Sequence, residues 1–259
     1  MSEFEDRGWL LFEDDALKRW AEHALPQATE IAQDPAAKAA WLRHGETWFA
    51  GVNILPNGPD GALPGGGAIS GQAADIALKI HGSPIQWDAG QLSVVYPGYP
   101  QQGVGDTDAA HRFRANRDAA HVDGLLPVGP ERRRMMQEPH SFVLGIPLTA
   151  CSHLASPMVI WEGSHEIIRA AFQEALVGID PAKWSTTDLT GIYQAARRRC
   201  FDECERVPVH AVPGQGYFVH RLALHGVARW EEGGEAPPEG RMIAYFRPAF
   251  AGQDWLNAA

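Results

Sequence analysis

Residues 141–161 read SFVLGIPLTACSHLASPMVIW, two short apolar runs (141–149 and 156–161) joined by a polar turn. Runs of this length, rich in Val, Ile and Phe and bounded by Ser, Pro and small residues, are read as strands. Three more follow the same pattern: RVPVHAV (206–212), GYFVHRLAL (216–224) and RMIAYFRP (241–248). Upstream, QLSVVYPG (91–98) is another. Strands therefore dominate from about residue 90 onward. One helical insertion at about 165–205 interrupts them, with helical periodicity in HEIIRAAFQEAL (165–176) and DLTGIYQAARRRCFDECE (188–205). Short strands without βαβ alternation, with helices packed outside, predict an antiparallel jelly roll or barrel rather than a doubly wound sheet.

The N-terminal 90 residues have a different texture. Asp14 or Asp15 can cap a helix in which Leu17, Trp20, Ala21 and Ala24 share one face, Pro26 is expected to stop it, and a second short helix fits residues 34–43. Residues 48–54 read as a strand, and 73–80 as a short helix. Between them LPNGPDGALPGGGAISG (55–71) is a long loop. It lacks the lysine of a phosphate-binding loop and reads as a surface or lid loop. The polar stretch 99–120 is read as loop, with Tyr99, Gln101 and Gln102 as ordinary loop residues. We treat the 259 residues as a single domain: a helical and loop part (1–90) and a jelly-roll core (91–250).

Composition narrows the function. With 45% hydrophobic residues the chain can bury a full core, and its 27 Gly and 19 Pro imply many turns. Twenty-two Lys and Arg against 32 Asp and Glu give a net charge of −10, which argues against a nucleic-acid surface. Cys151, Cys200 and Cys204 are an odd count, a poor disulfide framework, and are read as unpaired thiols of a reducing compartment. The N-terminal MSEFEDRGWLLFEDD is acidic where a secretion signal is basic, and no apolar run approaches the ~18 residues that span a bilayer. A soluble, cytoplasmic protein is expected, acting on a small molecule.

The residues that suggest chemistry are His121-Val122-Asp123. On a strand, positions i and i+2 share a face, so this spacing offers an imidazole and a carboxylate side by side. These are two of the three ligands of a facial triad that holds non-haem Fe(II) and leaves positions open for substrate and O₂. GQGYFVHRLALHG (214–226) can return a second imidazole, from His220 or His225, and Gly226 lets the chain turn tightly beside a metal. Arg241 opens the last strand, where an inward guanidinium can pair with a carboxylate.

In this order the stretches resemble the phytanoyl-CoA dioxygenase group of Fe(II)/2-oxoglutarate-dependent oxygenases, over roughly residues 90–248. HVD (121–123) is similar to that family's HxD. Residues 141–165 are similar to its strand, turn, strand and PGSH block, with Glu162 where proline is usual, and 214–226 to the strand that brings the distal histidine. The resemblance implies a double-stranded β-helix (jelly roll, cupin-like) buttressed by helices, with His121, Asp123 and His225 as iron ligands. It also implies Arg241 as the clamp for the distal carboxylate of 2-oxoglutarate, and hydroxylation of a small metabolite with O₂, releasing succinate and CO₂. Because Asp123 is present, the halogenase variant, which lacks that carboxylate, is not implied. His220 is the runner-up distal ligand; it lies an odd number of residues from His225, so on a regular strand only one of them faces the metal. The serine often found two residues after the distal histidine is Val227 here.

Other candidates have plainer readings. Arg112, Arg114 and Arg117 precede the metal motif and either meet an anionic substrate or form a solvated face. His165 reads as a turn residue and Ser164 as a helix N-cap. Two further functions fit a similar scaffold: a cupin-like metal-dependent isomerase or lyase, which needs no Arg241, and a non-catalytic binding protein.

Overall fold

The computed structural model describes residues 2–250 and 255–257. Its elements run α1 (Ser2–Arg7), β1 (Trp9–Glu13), α2 (Asp15–Gln33), α3 (Pro35–Trp41), β2 (Leu42–Arg43), β3 (Trp48–Gly51), α4 (Gln72–His81), β4 (Gln91–Val95) and α5 (Asp108–Arg117). Then follow β5 (Leu125–Val128), β6 (Arg133–Met136), β7 (Phe142–Pro147), β8 (Met158–Trp161), α6 (Ser164–Leu176) and α7 (Thr190–Glu203), with a 3₁₀ turn at Pro181–Thr186 between the two helices. Four strands complete the chain: β9 (Arg206–Val209), β10 (Gln215–His220), β11 (His225–Val227) and β12 (Arg241–Phe246).

A seven-stranded sheet, in the order β1-β10-β7-β12-β4-β3-β2, packs against a three-stranded sheet, β11-β8-β9, and all the pairings are antiparallel. From β7 onward the chain crosses between the two sheets at each step except β8 to β9, which are neighbours in the smaller sheet. Alternation along each strand divides the core. On β12, Ile243 and Tyr245 point between the sheets, where they meet Val143, Met158 and Tyr217. Met242, Ala244 and Phe246 point outward, under α2 and α4. A third cluster packs α6 and α7 against Val122, Leu222 and Leu224.

Several expectations are corrected. Asp14 does cap α2, accepting from Ala16 N–H at 2.8 Å, but the helix continues through Pro26. Pro26 lies on the exposed face, while Ala24, Ala28 and Ala32 hold the buried face on either side. The N-terminal part is not only helix and loop: β1 forms an edge of the large sheet, pairing Trp9 with Val219 through Glu13 with Gln215. The stretch 99–120 contains α5, and the β5-β6 hairpin (Leu125–Met136) is an element that the apolar pattern did not reveal. The 55–71 loop packs on α2, with Gly61 C=O accepting from Trp20 Nε1 at 2.9 Å, and is not a lid over the site. Gly163, not Ser164, occupies the N-cap of α6; the Ser164 hydroxyl instead accepts from Leu224 N–H.

Candidate metal centre

The HVD motif does not lie on a regular strand. His121 forms a single antiparallel bridge with His225, its N–H donating to His225 C=O at 2.8 Å and its C=O accepting from His225 N–H at 3.0 Å. Asp123 follows in a turn. The same-face outcome survives because the bridge itself places the two histidines side by side, their ring centroids 4.7 Å apart. Val122 points away into the helical cluster, and its N–H donates to the Tyr193 hydroxyl at 3.1 Å.

Two devices hold this crossing. Asp118 and Ala119 adopt left-handed backbone, φ 54° and 52°, which turns the chain sharply into His121. Arg206 on β9 grips the Asp118 carboxylate with two bonds of 2.7 and 2.9 Å. On the opposite chain, Gly226 lets β11 approach so closely that a Cβ there would fall 2.2 Å from the Asp118 carbonyl. That carbonyl accepts from Val227 N–H at 3.0 Å.

His121, Asp123 and His225 offer ligand atoms that all lie within 4.8 Å of one another, and they form the only such cluster among the described residues. His121 Nε2 is 3.2 Å from Asp123 Oδ1, and His225 Nε2 is 3.7 Å from Asp123 Oδ2. Each imidazole turns its other nitrogen to a carbonyl two residues upstream: His121 Nδ1 donates to Ala119 C=O at 3.0 Å and His225 Nδ1 to Ala223 C=O at 2.9 Å. These bonds turn each Nε2 toward the cluster, as in metal-binding histidines. Burial works to lower the His121 pKa, but the Asp123 carboxylate beside its Nε2 raises it. Burial pushes His225 down to about 4, against the opposing pull of Asp123. Burial works to raise the Asp123 pKa, but His121, His225 and Arg247 hold it well below the usual carboxylate range. A neutral imidazole and a carboxylate are the forms that bind a cation.

The cluster opens onto a cavity of about 180 Å³ whose wall includes Trp48, Gln91, Tyr99, Met158, Val227 and Tyr245. A larger groove of about 610 Å³ runs elsewhere, along α2 and α3, and holds none of the three. Arg247 continues the inward face of β12 into the cavity wall, with Nη1 3.7 Å from Asp123 Oδ2 and Nη2 donating to Gln91 Oε1 at 2.9 Å. Arg241 lies on the same face, fully buried. It makes no ion pair with a carboxylate among the described residues, and its Nη1 has no hydrogen-bond partner.

The remaining candidates separate cleanly. His220 stands apart from the cluster: its Nδ1 accepts from Leu222 N–H at 3.0 Å, and its Nε2 faces Arg169 Nη2 at 3.0 Å. Of the arginines on α5, Arg112 and Arg117 are exposed, Arg117 stacking on Phe201, whereas Arg114 is half-buried with Nη1 3.8 Å from Asp106. His165 is buried in the first turn of α6, next to Glu5 C=O. Glu162 accepts from Arg7 Nε and Trp9 Nε1, each at 2.7 Å, and so ties the N-terminal strand to the end of β8. Cys151, Cys200 and Cys204 are free thiols. Sequence reasoning missed Arg247, Gln91 and Tyr245 as parts of the wall. The period-2 alternation from Arg241 points to two of them, since 241, 243, 245 and 247 share a face.

No protein-family model matches the sequence, and no curated protein matches it. The fold is similar to that of EctD from S. alaskensis, solved with bound Fe (15% identity, 96% of this chain and 74% of that one, TM-score 0.53). A second EctD structure, with 2-oxoglutarate and 5-hydroxyectoine, matches over the same shares with a TM-score of 0.52. It is also similar to SnoN, an epimerase solved in complex with Fe3+, alpha ketoglutarate and nogalamycin RO (14% identity, 96% and 82% covered, TM-score 0.52). At such identities the likeness establishes a shared fold.

Proposed function

We propose that this chain is an Fe(II)- and 2-oxoglutarate-dependent oxygenase of the phytanoyl-CoA dioxygenase type, built on a double-stranded β-helix and hydroxylating a small-molecule metabolite. The observation that carries this reading is the convergence of His121, Asp123 and His225 at the wall of one cavity, with Asp123 held ionised and His225 neutral, while against burial the same Asp123 raises the His121 pKa. The donor set of two imidazoles and one carboxylate fits Fe(II) with one face left open. An iron held there with 2-oxoglutarate and O₂ supplies oxidative decarboxylation of the oxo acid to succinate and CO₂, coupled to oxidation of a substrate C–H.

The chain's own residues do the rest. His121 Nε2, His225 Nε2 and an Asp123 oxygen would hold the metal, the two imidazoles oriented beforehand by the Ala119 and Ala223 carbonyls and the Asp118–Arg206 grip fixing the turn that leads into His121. Arg241, buried just outside the cavity wall beside the Tyr217 and Tyr245 hydroxyls, would meet the distal carboxylate of the oxo acid there. A buried guanidinium without a carboxylate partner is costly, and a carboxylate-bearing ligand removes that cost. A metal-dependent isomerase or lyase gives Arg241 no such role, which disfavours that alternative. The neighbours, which include an epimerase, support the oxygenase fold and its cofactor pair; hydroxylation is our reading from the intact carboxylate at Asp123. No helix among the described residues is long and apolar enough to cross a membrane, and the three free thiols favour a cytoplasmic location.

The test is uncoupled turnover. Reconstituted with Fe(II) and exposed to O₂, the protein should convert 2-oxoglutarate to succinate slowly without substrate, and faster when a panel of small metabolites includes one that fits. Succinate formation that is absent in wild type, or unchanged in His121→Ala, refutes the proposal.

A further inference from the structure

Val227 leaves the cavity wall without a hydroxyl where relatives by resemblance carry serine, and the same wall contains Tyr245. Tyr245 on β12 and Tyr217 on β10 flank Gly145 on β7, and the register pairs both with that glycine. A Cβ at Gly145 would lie 2.3 Å from the Tyr217 ring, so the missing side chain is what allows the two phenols to meet over β7. Their hydroxyls are 2.8 Å apart.

The direction of this bond follows from burial. Tyr217 is fully buried, and Tyr245 is its only hydrogen-bond partner among the described residues, so its proton goes to the Tyr245 oxygen. The Arg241 guanidinium lies close to the same two hydroxyls. Tyr245 therefore receives a hydrogen bond from behind, with a cation beside it, its own proton is not used by Tyr217, and the residue forms part of the cavity wall. Arg241 does not line the cavity itself, whereas Tyr245 does.

Resting on the oxygenase reading above, we propose that Tyr245 is a binding residue for the co-substrate. Its hydroxyl donates to the distal carboxylate of 2-oxoglutarate in place of the hydroxyl absent at Val227, and Tyr217, Gly145 and Arg241 position it. The Tyr217–Tyr245 pair is thus a polarised donor set into the cavity rather than a core contact alone. Hydrogen bonds accepted by the Tyr245 oxygen make its proton a better donor, and the acceptor is an anion.

The experiment compares two 2-oxo acids on anaerobic Fe(II)-loaded protein, 2-oxoglutarate and pyruvate, by the visible absorption of the iron chelate. Pyruvate has the chelating end and lacks the distal carboxylate. Tyr245→Phe should weaken 2-oxoglutarate about tenfold, the size of one hydrogen bond to a charged group, while pyruvate and iron affinities stay at wild-type values. Tyr217→Phe, which keeps both rings in place, should lose less, and again only for 2-oxoglutarate. Wild-type 2-oxoglutarate affinity in Tyr245→Phe overturns the proposal, and so does an equal loss for both oxo acids. Absence of chelate absorption in the wild-type protein with either acid overturns the oxygenase reading itself, an outcome distinct from an unaffected Tyr245→Phe.

Discussion

Replacing Gly226 with alanine places a methyl group 2.2 Å from the Asp118 carbonyl oxygen and 3.3 Å from Ala120 Cα. Ordinary contact needs about 3.4 Å, so the two chains must separate by about 1 Å. Neither side yields easily. Asp118 is gripped by Arg206 through bonds of 2.7 and 2.9 Å, and Gly226 lies between the His121–His225 bridge and the Val227 N–H bond to Asp118. Overpacking of this kind costs about 1–3 kcal/mol, and loss of the Val227 bond adds about 1 kcal/mol. For a chain of this size that corresponds to a fall in Tm on the order of 10 °C. The displacement falls on the bridge that sets the two imidazoles, so Fe(II) affinity should drop by about 10- to 100-fold. Thermal unfolding of the apo protein and anaerobic iron titration measure the two effects. Gly67→Ala, which meets nothing within 4 Å, is the control and should leave both unchanged. A Gly226→Ala protein with wild-type Tm and iron affinity would refute the close-approach argument.

Glu162→Gln removes the carboxylate that Arg7 and Trp9 share and should cost about 1–2 kcal/mol in chemical denaturation, with iron binding unaffected. Arg241→Gln should weaken 2-oxoglutarate by at least about tenfold in equilibrium titration and leave iron binding intact; equal loss of both would make Arg241 structural. His220 has its pKa pushed well below the usual histidine value, by burial first and then by Arg221, His165 and Arg169. The unfolded chain therefore takes up this proton first as pH falls. Its contribution is fully present above about pH 6.5 and is lost below it at about 1.4 kcal/mol per pH unit. Tm measured from pH 7.5 to 5 should fall, and His220→Gln should flatten the decline; an equal slope in the variant would show that the proton is taken up elsewhere.

The cluster of His121, Asp123 and His225 was legible because its candidate chemistry is carried by residue type and order, an imidazole and a carboxylate two apart and a distal histidine before glycine. Arg241, read from its place at the start of an apolar strand, does not line the same cavity. The strands β7, β8, β10 and β12 were legible as apolar runs. What escaped did so for physical reasons. α5 has no fully buried residue, so it shows no apolar periodicity. β1 is a short strand between two helices and is stabilised by pairing with β10, some two hundred residues away. The β5-β6 hairpin carries Pro127 and two arginines. Pro26 read as a stop, yet the alanine face of α2 outweighs one lost hydrogen bond at an exposed position. HVD read as a strand, whereas a single bridge to His225 does the aligning. The Tyr217–Gly145–Tyr245 stack depends on the register of three strands spread over a hundred residues, which no local pattern records.

Anaerobic titration of the Fe(II)-loaded protein with 2-oxoglutarate tests most directly whether His121, Asp123 and His225 form the centre of an oxygenase. A visible metal-to-ligand charge-transfer band should appear in the wild type and be absent from well-folded Asp123→Ala and His225→Ala, while His220→Ala retains it. A wild type that shows no band, or a band that survives in His225→Ala and vanishes in His220→Ala, would contradict the assignment.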